Sequence, residues 1–505
     1  MRVEDLAALE GVTLIKGDSG TDIDSVQFDS RACKQGSLFV AIKGFNSDGH
    51  EYIRAAADKG ASAVLIDSTR DKDRYPQDLI LESSGTDMAI LETRDTRKAL
   101  GIVSGEVYGH PERSLDIAGI TGTKGKTTIT FMLRSILECA KIPSGLVGTV
   151  KNIAAGKDIK SEHTTPESSD LYKMMKDMVD AGDKALVMEV SSQGLKFDRV
   201  FGVRYKAAAF TNLYEDHIAP DEHPDMEDYL ASKLKIFDDC EVGIINGDSS
   251  YAADASEYAQ GKCDILFYGT DGNVDIKASD IRHFSEGYAS GSIFELTSPW
   301  YKGEVKIGLP GKFNVSNALC AIACAGVMGV PFEAVKEGLA KAFVPGRMQP
   351  VANDLGISVI VDYAHNAAAL ENVLLTVREY TDKGIICVFG CGGNRSRTRR
   401  FEMGEVSGKL ADITVITSDN PRKEDPLAII EDIVTGIKPT GGTFETEPDR
   451  ALAIKHAMNI AKEGDVVVIA GKGHEDYQIF ADRTIHFDDC EAAKQAAVEI
   501  KEERQ

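Results

Sequence analysis

The 505-residue sequence predicts an α/β protein of three domains, the central one built on a mostly parallel sheet. Its length is the first observation, because a single hydrophobic core rarely grows beyond about 250–300 residues. The second is the alternation of short apolar runs with stretches of helical periodicity, which is typical of strand–helix units around a parallel sheet. The third is a glycine-rich turn that joins such a strand to such a helix.

Each predicted domain has its own pattern. Residues 1–114 form a small first domain, in which strand-like apolar runs flank a helical stretch. Residues 115–345 form the central domain, which opens on the strand candidate LDIAGI. The Pro–Gly break in VPGRMQP marks a linker to a Rossmann-like α/β domain at 346–505. There ISVIVDYAHN and GIICVFGCGG are apolar strands ending in polar residues, as expected where an α/β fold binds its ligand.

Composition excludes several classes of function. The net charge of −23 disfavours a nucleic-acid-binding protein, because such a surface repels the phosphate backbone. No apolar run reaches about eighteen residues, so we expect no membrane insertion. The start lacks the pattern of a secretion signal, and the nine cysteines include no Cys-x-x-Cys pair. We therefore expect a cytoplasmic, monomeric protein, with Cys320 and Cys324 as small buried residues.

The glycine-rich segment GITGTKGKTT, residues 119–128, has the context of a phosphate-binding loop. A strand candidate precedes it, and a helix with one apolar face follows: Ile129, Met132, Leu133, Ile136 and Leu137. Glycines allow backbone N–H groups to face phosphate oxygens, and the helix N-terminus adds partial positive charge. Lys126 is the candidate for neutralising the phosphates, and the Thr127 hydroxyl for binding Mg²⁺.

This loop departs from the strict pattern G-x-x-x-x-G-K-[ST], because Ile120 stands where the first glycine belongs. The alternative is a plain strand-to-helix turn with an incidental lysine. Strand, helix, lysine and hydroxyl are all in register, which favours nucleotide binding. The predicted phosphate-binding residues are Gly122, Thr123, Lys124, Gly125, Lys126, Thr127 and Thr128.

Further segments follow this loop in a characteristic order. They are SEHTTPES, MEVSSQGL, FTNLYEDH, YLASKLKIF, GKFNVSNALCAIA, VPGRM, VDYAHN, FGCGGNRSRTRR, SDNPRKEDP and GKGHEDYQ. Together with the loop they resemble the Mur ligase family, the ATP-dependent amide-forming enzymes of peptidoglycan precursor synthesis. The resemblance runs from near residue 30 to residue 490. It implies an ATP- and Mg²⁺-dependent ligase that phosphorylates the carboxylate of a UDP-muramoyl dipeptide and joins an amino acid to it.

The resemblance assigns catalysis to Lys126, Glu189, His217 and Lys233, and metal binding to Thr127, Glu189, His217 and Lys233. Glu189 ends the apolar strand KALVM, where its side chain can face a ligand crevice. His217 is an unexpected ligand for a hard cation that prefers oxygen, and histidines in such loops usually form hydrogen bonds. The family nevertheless places this histidine beside a metal ion.

The residues alone indicate that Lys233 and Lys235 are two solvated lysines on a helix. The resemblance implies instead that Lys233 is carbamylated by CO₂ and helps to hold Mg²⁺. Carbamylation requires a neutral amine, which burial favours.

The resemblance also supplies candidates for substrate binding. The nucleotide is assigned to Asn314, Asn317, Arg347, Asp362 and His365, in addition to the glycine-rich loop. The UDP-muramoyl dipeptide is assigned to Ser30, Arg31, Thr164, Thr165, Ser191 and Arg199. Helix capping is the alternative for Asn314, Asn317 and Ser191, since Asn and Ser commonly cap helices.

SDNPR and GKGHEDYQ resemble the members that add the third residue of the peptide, here meso-2,6-diaminopimelate. The amino-acid site would comprise Arg395, Asp419, Asn420, Pro421, Arg422, Gly471 and Glu475. Arg422 suits the carboxylate of diaminopimelate at the end away from the reacting amine, and Glu475 suits the ammonium group at that same, distant end. A solvated turn is the alternative for SDNPR.

Two alternative functions stay open. One is the same reaction with L-lysine or another diamine, because one extra residue between His217 and Lys233 is closer to some lysine-adding enzymes. Arg422 favours diaminopimelate, since lysine lacks the second carboxylate. The other is a nucleotide-binding regulatory or scaffold protein without catalysis, against which the intact catalytic set argues.

Overall fold

The computed structural model describes residues 1–44, 47–85, 88–215, 218–219, 222–286 and 289–504. The chain forms two compact units. The first contains residues 1–277, 298–300 and 319–335, and the second contains residues 278–297, 301–318 and 336–505. Among the described residues, no helix combines the length and apolar character needed to cross a membrane.

The first unit begins with a five-stranded sheet in the order β1-β5-β4-β3-β2. Its strands are β1 Thr13–Lys16, β2 Ser25–Gln27, β3 Ser37–Val40, β4 Ala63–Asp67 and β5 Ala89–Thr93. Its helices are α1 Val3–Ala7, α2 Ile53–Asp58, α3 Gln77–Ser83 and α4 Thr96–Tyr108. Only β1 runs antiparallel to its neighbour, so most of the sheet is parallel.

The second sheet of this unit has β6 at its centre, in the order β13-β12-β11-β6-β10-β7-β8-β9. Its strands are β6 Asp116–Thr121, β7 Ser144–Val147, β8 Asn152–Ala154, β9 Lys157–Ile159, β10 Ala185–Glu189, β11 Tyr205–Phe210, β12 Cys240–Asn246, β13 Asp264–Gly269 and β14 Ile276–Glu286, whose start pairs with β13. The accompanying helices are α5 Lys126–Cys139, α6 Ser168–Ala181, α7 Ser192–Lys196, α8 Met226–Leu234 and α9 Ala252–Ala259. From β7 to β13 through β6 the pairing is parallel, which confirms the predicted sheet type.

The segment before the last sheet contains an antiparallel pair and two helices. These are β15 Ala289–Thr297, β16 Lys302–Ile307, α10 Lys312–Val327 and α11 Phe332–Lys341. The capping alternative for Asn314 and Asn317 is wrong, because α10 begins at Lys312 and both asparagines lie inside it. Cys320 and Cys324 are fully buried in this helix, as predicted.

The last sheet belongs to the second unit and has the order β17-β18-β22-β19-β20-β21. Its strands are β17 Gln349–Pro350, β18 Ser358–Asp362, β19 Ile385–Phe389, β20 Ile413–Ile416, β21 Phe444–Thr446 and β22 Val466–Ala470, followed by the hairpin β23 Tyr477–Ile479 and β24 Thr484–His486. The helices are α12 Ala367–Tyr380, α13 Thr398–Leu410, α14 Pro426–Ile437, α15 Arg450–Ile460 and α16 Asp489–Glu503. All pairings except that of β17 are parallel within the sheet.

Apolar strand residues build the core of each sheet. In the last sheet, Val359, Val467 and Ile469 pack with Ile454 of α15 and Ile500 of α16. Side chains on alternate positions of β22 thus meet helices through their apolar faces. The three sheets lie within 13–93, 116–307 and 349–470, inside the three predicted domain ranges. The boundaries at 114 and 345 stay predictions.

Candidate active site

The predicted glycine-rich loop connects β6 to α5, with the strand ending at Thr121 and the helix beginning at Lys126. Gly122 has φ of +143°, and a Cβ there would lie 1.9 Å from Thr211 Oγ1. Gly125 has φ of +92° immediately before the helix. Both positions therefore require glycine, which explains the local composition.

Two residues after β11 hold this loop in place. The Asn212 carbonyl accepts from the Thr123 amide at 3.0 Å, and Asn212 Oδ1 accepts from the Lys124 amide at 2.8 Å. Thr211 Oγ1 donates to the Lys124 carbonyl at 2.8 Å. Thr211 and Asn212 lie in the segment FTNLYEDH, but the sequence assigned no role to either residue. The parallel pairing of β11 with β6 brings both beside the glycine-rich loop.

Two lysine ammonium groups meet at one loop carbonyl. Lys126 Nζ donates to the carbonyls of Gly122 at 2.7 Å and Thr123 at 3.0 Å. Lys233 Nζ donates to the same Gly122 carbonyl at 2.9 Å. Lys233 is only 2% exposed, so the solvated-lysine interpretation is wrong for it, whereas Lys235 is exposed.

Helix α8, which carries Lys233, is fixed by a network of side chains. Tyr229 OH lies 3.2 Å from Thr123 Oγ1 of the glycine-rich loop. Just before the helix, the buried His223 ring lies 2.5 Å from Asp228 Oδ2 through Nδ1 and 2.9 Å from Ser192 Oγ through Nε2. Burial lowers the pKa of His223, although Asp228 opposes this effect. The network links the helix to the segment after β10.

Glu189 ends β10, as predicted, and is 1% exposed. Its Oε2 accepts from Thr127 Oγ1 at 3.0 Å and from Thr149 Oγ1 at 3.0 Å, while its Oε1 accepts from the Thr149 amide at 2.9 Å. A buried carboxylate surrounded by hydroxyl and amide donors suits a divalent cation. Thr149 was missed because no motif in the sequence marks it.

Four of the predicted UDP-muramoyl residues gather around Glu189. Thr164 Oγ1 lies 2.9 Å from Thr149 Oγ1, and Thr165 Oγ1 donates to the Glu189 carbonyl at 3.0 Å. The Thr165 carbonyl accepts from Arg199 Nη1 at 3.1 Å. The TTP segment is therefore held against the end of β10.

Ser191 also belongs to this group. Its amide donates to Thr165 Oγ1 at 2.9 Å, and its own Oγ accepts from the Gly194 amide at 3.0 Å. This second bond caps α7, so the capping role is confirmed. Ser30 and Arg31 lie in the short 3₁₀ helix Ser30–Ala32, where Arg31 pairs with Asp29 at 2.7 Å and lowers the pKa of that carboxyl.

The remaining nucleotide candidates belong to the second unit. Asn314 and Asn317 follow β16, Arg347 precedes β17, and Asp362 and His365 lie at and after the end of β18. Asn314 Nδ2 donates to the Pro310 carbonyl at 2.8 Å, and Asn317 Nδ2 donates to Asn314 Oδ1 at 3.1 Å. Asp362 ends β18, and its Oδ2 accepts from the Met348 amide at 2.8 Å. Burial raises the pKa of Asp362, and Arg347 opposes this effect.

A ring cluster surrounds Arg347. Its guanidinium carbon lies 4.9 Å from the centre of the Tyr363 ring, which also packs against His365 at 4.6 Å and His474 at 4.8 Å. Burial, reinforced by the charge of Arg347, lowers the pKa of His474 to about 4. The predicted residues Arg347, Asp362 and His365 therefore form one neighbourhood, and His474 is an addition that the sequence did not reveal.

The predicted amino-acid residues follow β19, β20 and β22, which are adjacent parallel strands. Their carboxyl ends bring three loops together, as in other open α/β sheets. Asn420 Nδ2 donates to Glu475 Oε2 at 2.9 Å, and Arg422 Nη1 donates to the Gly393 carbonyl at 2.9 Å. A Cβ on Gly392 would lie 2.9 Å from Arg422 Nη1 and 3.6 Å from Arg395 Cγ, so both arginines flank this loop.

The same loops contact each other closely. A Cβ on Gly393 would lie 1.9 Å from the Pro421 carbonyl oxygen, and one on Gly471 would lie 2.8 Å from Asp419 Oδ2. Burial raises the pKa of Asp419, with Arg450 as the strongest opposing charge. All seven predicted amino-acid residues thus belong to one loop cluster.

The hairpin β23–β24 is bonded to this cluster. The Ile479 amide donates to Asn420 Oδ1 at 2.9 Å, and the Arg422 amide donates to the Ile479 carbonyl at 3.0 Å. A cavity of about 380 Å³ opens beside Arg422, lined by Asn394, Arg422, Lys423, Ile479, Phe480 and Ala481. A guanidinium beside apolar side chains suits an aliphatic ligand that ends in a carboxylate.

A fully buried ion pair between Arg450 and Asp489 stabilises two of these loops. Arg450 contacts Asp489 through Nε at 2.7 Å and Nη2 at 2.8 Å. The remaining donors reach the Ser418 carbonyl at 3.3 Å and the Ala470 carbonyl at 3.0 Å. These carbonyls directly precede Asp419 and Gly471, so Arg450 ties two of the three loops together. Its sequence context gives no hint of this role.

His217 lies outside the described residues. Within the part of the chain that the structure describes, no three His, Cys, Asp or Glu side chains cluster closely enough to hold a metal ion. Among the described residues beside the glycine-rich loop, Thr127 Oγ1 and the Glu189 carboxylate are hard oxygen donors that a divalent ion could use.

Comparison with known proteins identifies the family. Residues 22–108 match the Mur ligase family catalytic domain, residues 120–325 the Mur ligase middle domain, and residues 346–473 the Mur ligase glutamate ligase domain. The chain belongs to the Mur ligase family. Membership confirms the predicted α/β fold and the predicted enzyme class, an ATP-dependent amide-forming ligase.

Relatives within the Mur ligase family span nearly the whole chain. A UDP-N-acetylmuramoyl-L-alanyl-D-glutamate–2,6-diaminopimelate ligase from Clostridium botulinum is 44% identical over 482 residues, covering 95% of this chain and 96% of its own. The enzyme of the same name from Clostridium tetani is 40% identical and covers 99% of this chain and 100% of its own.

Solved structures of Mur ligases agree with this fold. A UDP-N-acetylmuramoyl-L-alanyl-D-glutamate–2,6-diaminopimelate ligase has a TM-score of 0.70 at 28% identity, with 100% of this chain and 99% of that chain covered. The MurF ligase from Thermotoga maritima in complex with ADP has a TM-score of 0.61 at 18% identity, covering 96% and 99% of the two chains. At that identity, the second likeness shows the fold alone.

Proposed function

We propose that this Mur ligase adds meso-2,6-diaminopimelate to UDP-N-acetylmuramoyl-L-alanyl-D-glutamate in the cytoplasm, at the expense of ATP. The proposal rests on the loop cluster that contains Arg395, Arg422 and Glu475, in which Arg422 lines a cavity. This cluster offers two cations for two carboxylates and an anion for a second ammonium, which are the charges of diaminopimelate. The relatives that span the chain carry the name of this reaction.

In the first half-reaction, a carboxylate oxygen of the dipeptide attacks the γ-phosphorus of ATP. A carboxyl O–P bond forms, the bond to the ADP oxygen breaks, and an acyl phosphate results. Lys126 and the N–H groups of residues 122–128 bind the phosphates and stabilise the charge of the transferring group. Thr164, Thr165, Ser191 and Arg199 orient the dipeptide beside Glu189, and Ser30 and Arg31 bind its uridine nucleotide end.

The residues around Glu189 fit a magnesium ion. Thr127 Oγ1 and the Glu189 carboxylate are hard oxygen donors 3.0 Å apart, and a carbamate on Lys233 would add another. When bound, Mg²⁺ supplies positive charge to the phosphate oxygens. Burial of Lys233 at 2% exposure supports the carbamate, because the neutral amine is the reactive form.

In the second half-reaction, the amine of the incoming amino acid attacks the acyl carbon. An amide bond forms, the C–O bond to phosphate breaks, and the amine loses a proton as inorganic phosphate leaves. Arg395 binds the near carboxylate, Arg422 the distant one, and Glu475 the distant ammonium. L-lysine would leave Arg422 without its carboxylate, which disfavours lysine as the substrate.

Phosphate release in the presence of ATP, Mg²⁺ and the UDP-muramoyl dipeptide tests the proposal. We expect turnover with meso-diaminopimelate and much weaker turnover with lysine or ornithine. Arg422→Ala should lower kcat/KM for diaminopimelate by about 10- to 100-fold, because a carboxylate loses its guanidinium partner. Arg504→Ala, which changes an exposed arginine of the same unit outside the cavity lining, is the matched control. Preference of the wild-type enzyme for lysine would contradict the proposed substrate.

A further inference from the structure

A buried lysine lies among the proposed amino-acid loops. Lys472 lies two residues after the end of β22, and its side chain is 0% exposed. Its Nζ donates to Glu475 Oε2 at 3.1 Å, to the Tyr477 carbonyl, and to Asn420 Oδ1 at 3.5 Å. Three acceptors thus surround the three ammonium hydrogens.

A fully buried lysine is uncommon, because removing its charge from water is costly unless partners compensate. The fold alone does not require such a charge, since an apolar side chain of similar size fills space at lower cost. Two of the three partners of Lys472, Glu475 and Asn420, belong to the proposed amino-acid site. The buried charge of Lys472 therefore lies directly beside the proposed amino-acid site.

Lys472 restricts the orientation of Glu475. Glu475 Oε2 accepts from both Lys472 Nζ at 3.1 Å and Asn420 Nδ2 at 2.9 Å. Two donors on one oxygen hold Oε2 in place, while 16% of the side chain stays exposed to solvent. The cation also offsets part of the repulsion between Glu475 and the buried Asp419. Burial raises the pKa of Asp419 and Glu475 adds to this rise, whereas Lys472 opposes it.

We propose that Lys472 is a positioning residue that holds the Glu475 carboxylate in the orientation that receives the distant ammonium of the diamino acid. This inference rests on the proposed function of the loop cluster. Its effect differs from that of Arg422, which recognises the distant carboxylate. Loss of Lys472 weakens recognition of the second amine, and loss of Arg422 weakens recognition of the second carboxylate.

The test compares two amino acids in wild type and Lys472→Met. Meso-diaminopimelate has the second amine, whereas 2-aminopimelate keeps both carboxylates and the reacting amine but lacks it. The measured quantity is kcat/KM for meso-diaminopimelate divided by kcat/KM for 2-aminopimelate. We expect this ratio to fall by about tenfold or more in Lys472→Met. The KM values for ATP and the UDP-muramoyl dipeptide should stay unchanged. Lys438→Met, an exposed lysine of the same unit, is the matched control.

An equal loss of activity with both amino acids, or an unchanged ratio, would overturn the role of Lys472. Should Lys472→Met not yield folded protein, Lys472→Gln is measured in the same way. The glutamine amide can donate hydrogen bonds but carries no charge, so the ratio should again fall. Absence of diaminopimelate turnover in the wild type would refute the proposed function, whereas turnover with an unchanged ratio would refute only the positioning role.

Discussion

The glycine-rich loop and the amino-acid loop cluster are both built at the carboxyl ends of parallel strands, but they are assembled differently. The first loop takes its backbone path from glycines within one short segment, Gly122 and Gly125 at positive φ, and Thr211 and Asn212 hold it in place. The amino-acid cluster joins three loops that follow β19, β20 and β22, and two of them are tied by Arg450 of the buried pair with Asp489. A contiguous motif can be recognised in the sequence. The residues that support a site assembled from several loops cannot, because they lie far apart in the chain.

Replacement of the loop lysine should produce the largest effect on catalysis. Lys126→Ala removes a cation from the transferring phosphoryl group, and we expect kcat to fall by about 10³-fold or more. Phosphate release at saturating substrates measures the loss. The control is Lys157→Ala, which changes an exposed lysine in β9 of the same unit. A variant with near wild-type kcat would show that the loop does not bind the reacting phosphates.

Breaking the buried ion pair should give the largest effect on stability. Arg450→Met leaves Asp489 buried without its partner, and we expect a loss of about 3–5 kcal/mol in the free energy of unfolding. The double variant Arg450→Met/Asp489→Leu removes both charges and should be closer to wild type. Urea denaturation measures both values. Equal destabilisation of the single and double variants would mean that the pair does not act as a unit.

Lys233 and Lys235 of the YLASKLKIF segment differ in burial, so we expect their replacements to have different effects on kcat. Lys233→Ala should lower kcat by about 100-fold, because it removes the proposed carbamate and the contact with Gly122. Lys235→Ala, which changes the exposed neighbour, should leave kcat nearly unchanged. Activity of the wild type should also fall when bicarbonate and CO₂ are removed. Full activity without CO₂ would contradict carbamylation.

The smallest expected effect concerns pH. The pKa of His474 is lowered from 6.5 to about 4 in the folded protein, so the unfolded chain binds the proton first as pH falls. Stability should therefore decrease between about pH 6.5 and pH 4, by at most about 3 kcal/mol from this group. His474→Gln should reduce the difference in denaturation midpoint between about pH 7 and pH 5. An unchanged difference would exclude His474 as a source of acid sensitivity.

Much of the fold was predictable because the signals are local. The apolar face of α5 and the strand before it are visible in the hydrophobic periodicity, and glycine spacing marks the loop between them. The burial of Lys233 was not predictable, since YLASKLKIF has the pattern of a helix with a solvated face. Thr149, Asn212 and Arg450 reach their sites through strand order and packing, which no short segment of sequence encodes.

The fate of the carboxylate oxygen shows whether the reaction passes through an acyl phosphate. The γ-phosphoryl group is proposed to bond to that oxygen, and the later C–O cleavage leaves the oxygen on phosphate. With ¹⁸O in the glutamyl carboxylate, phosphorus NMR should show one ¹⁸O in each phosphate released with diaminopimelate present. Phosphate without ¹⁸O, released at the same rate as the amide product, would contradict an acyl phosphate intermediate.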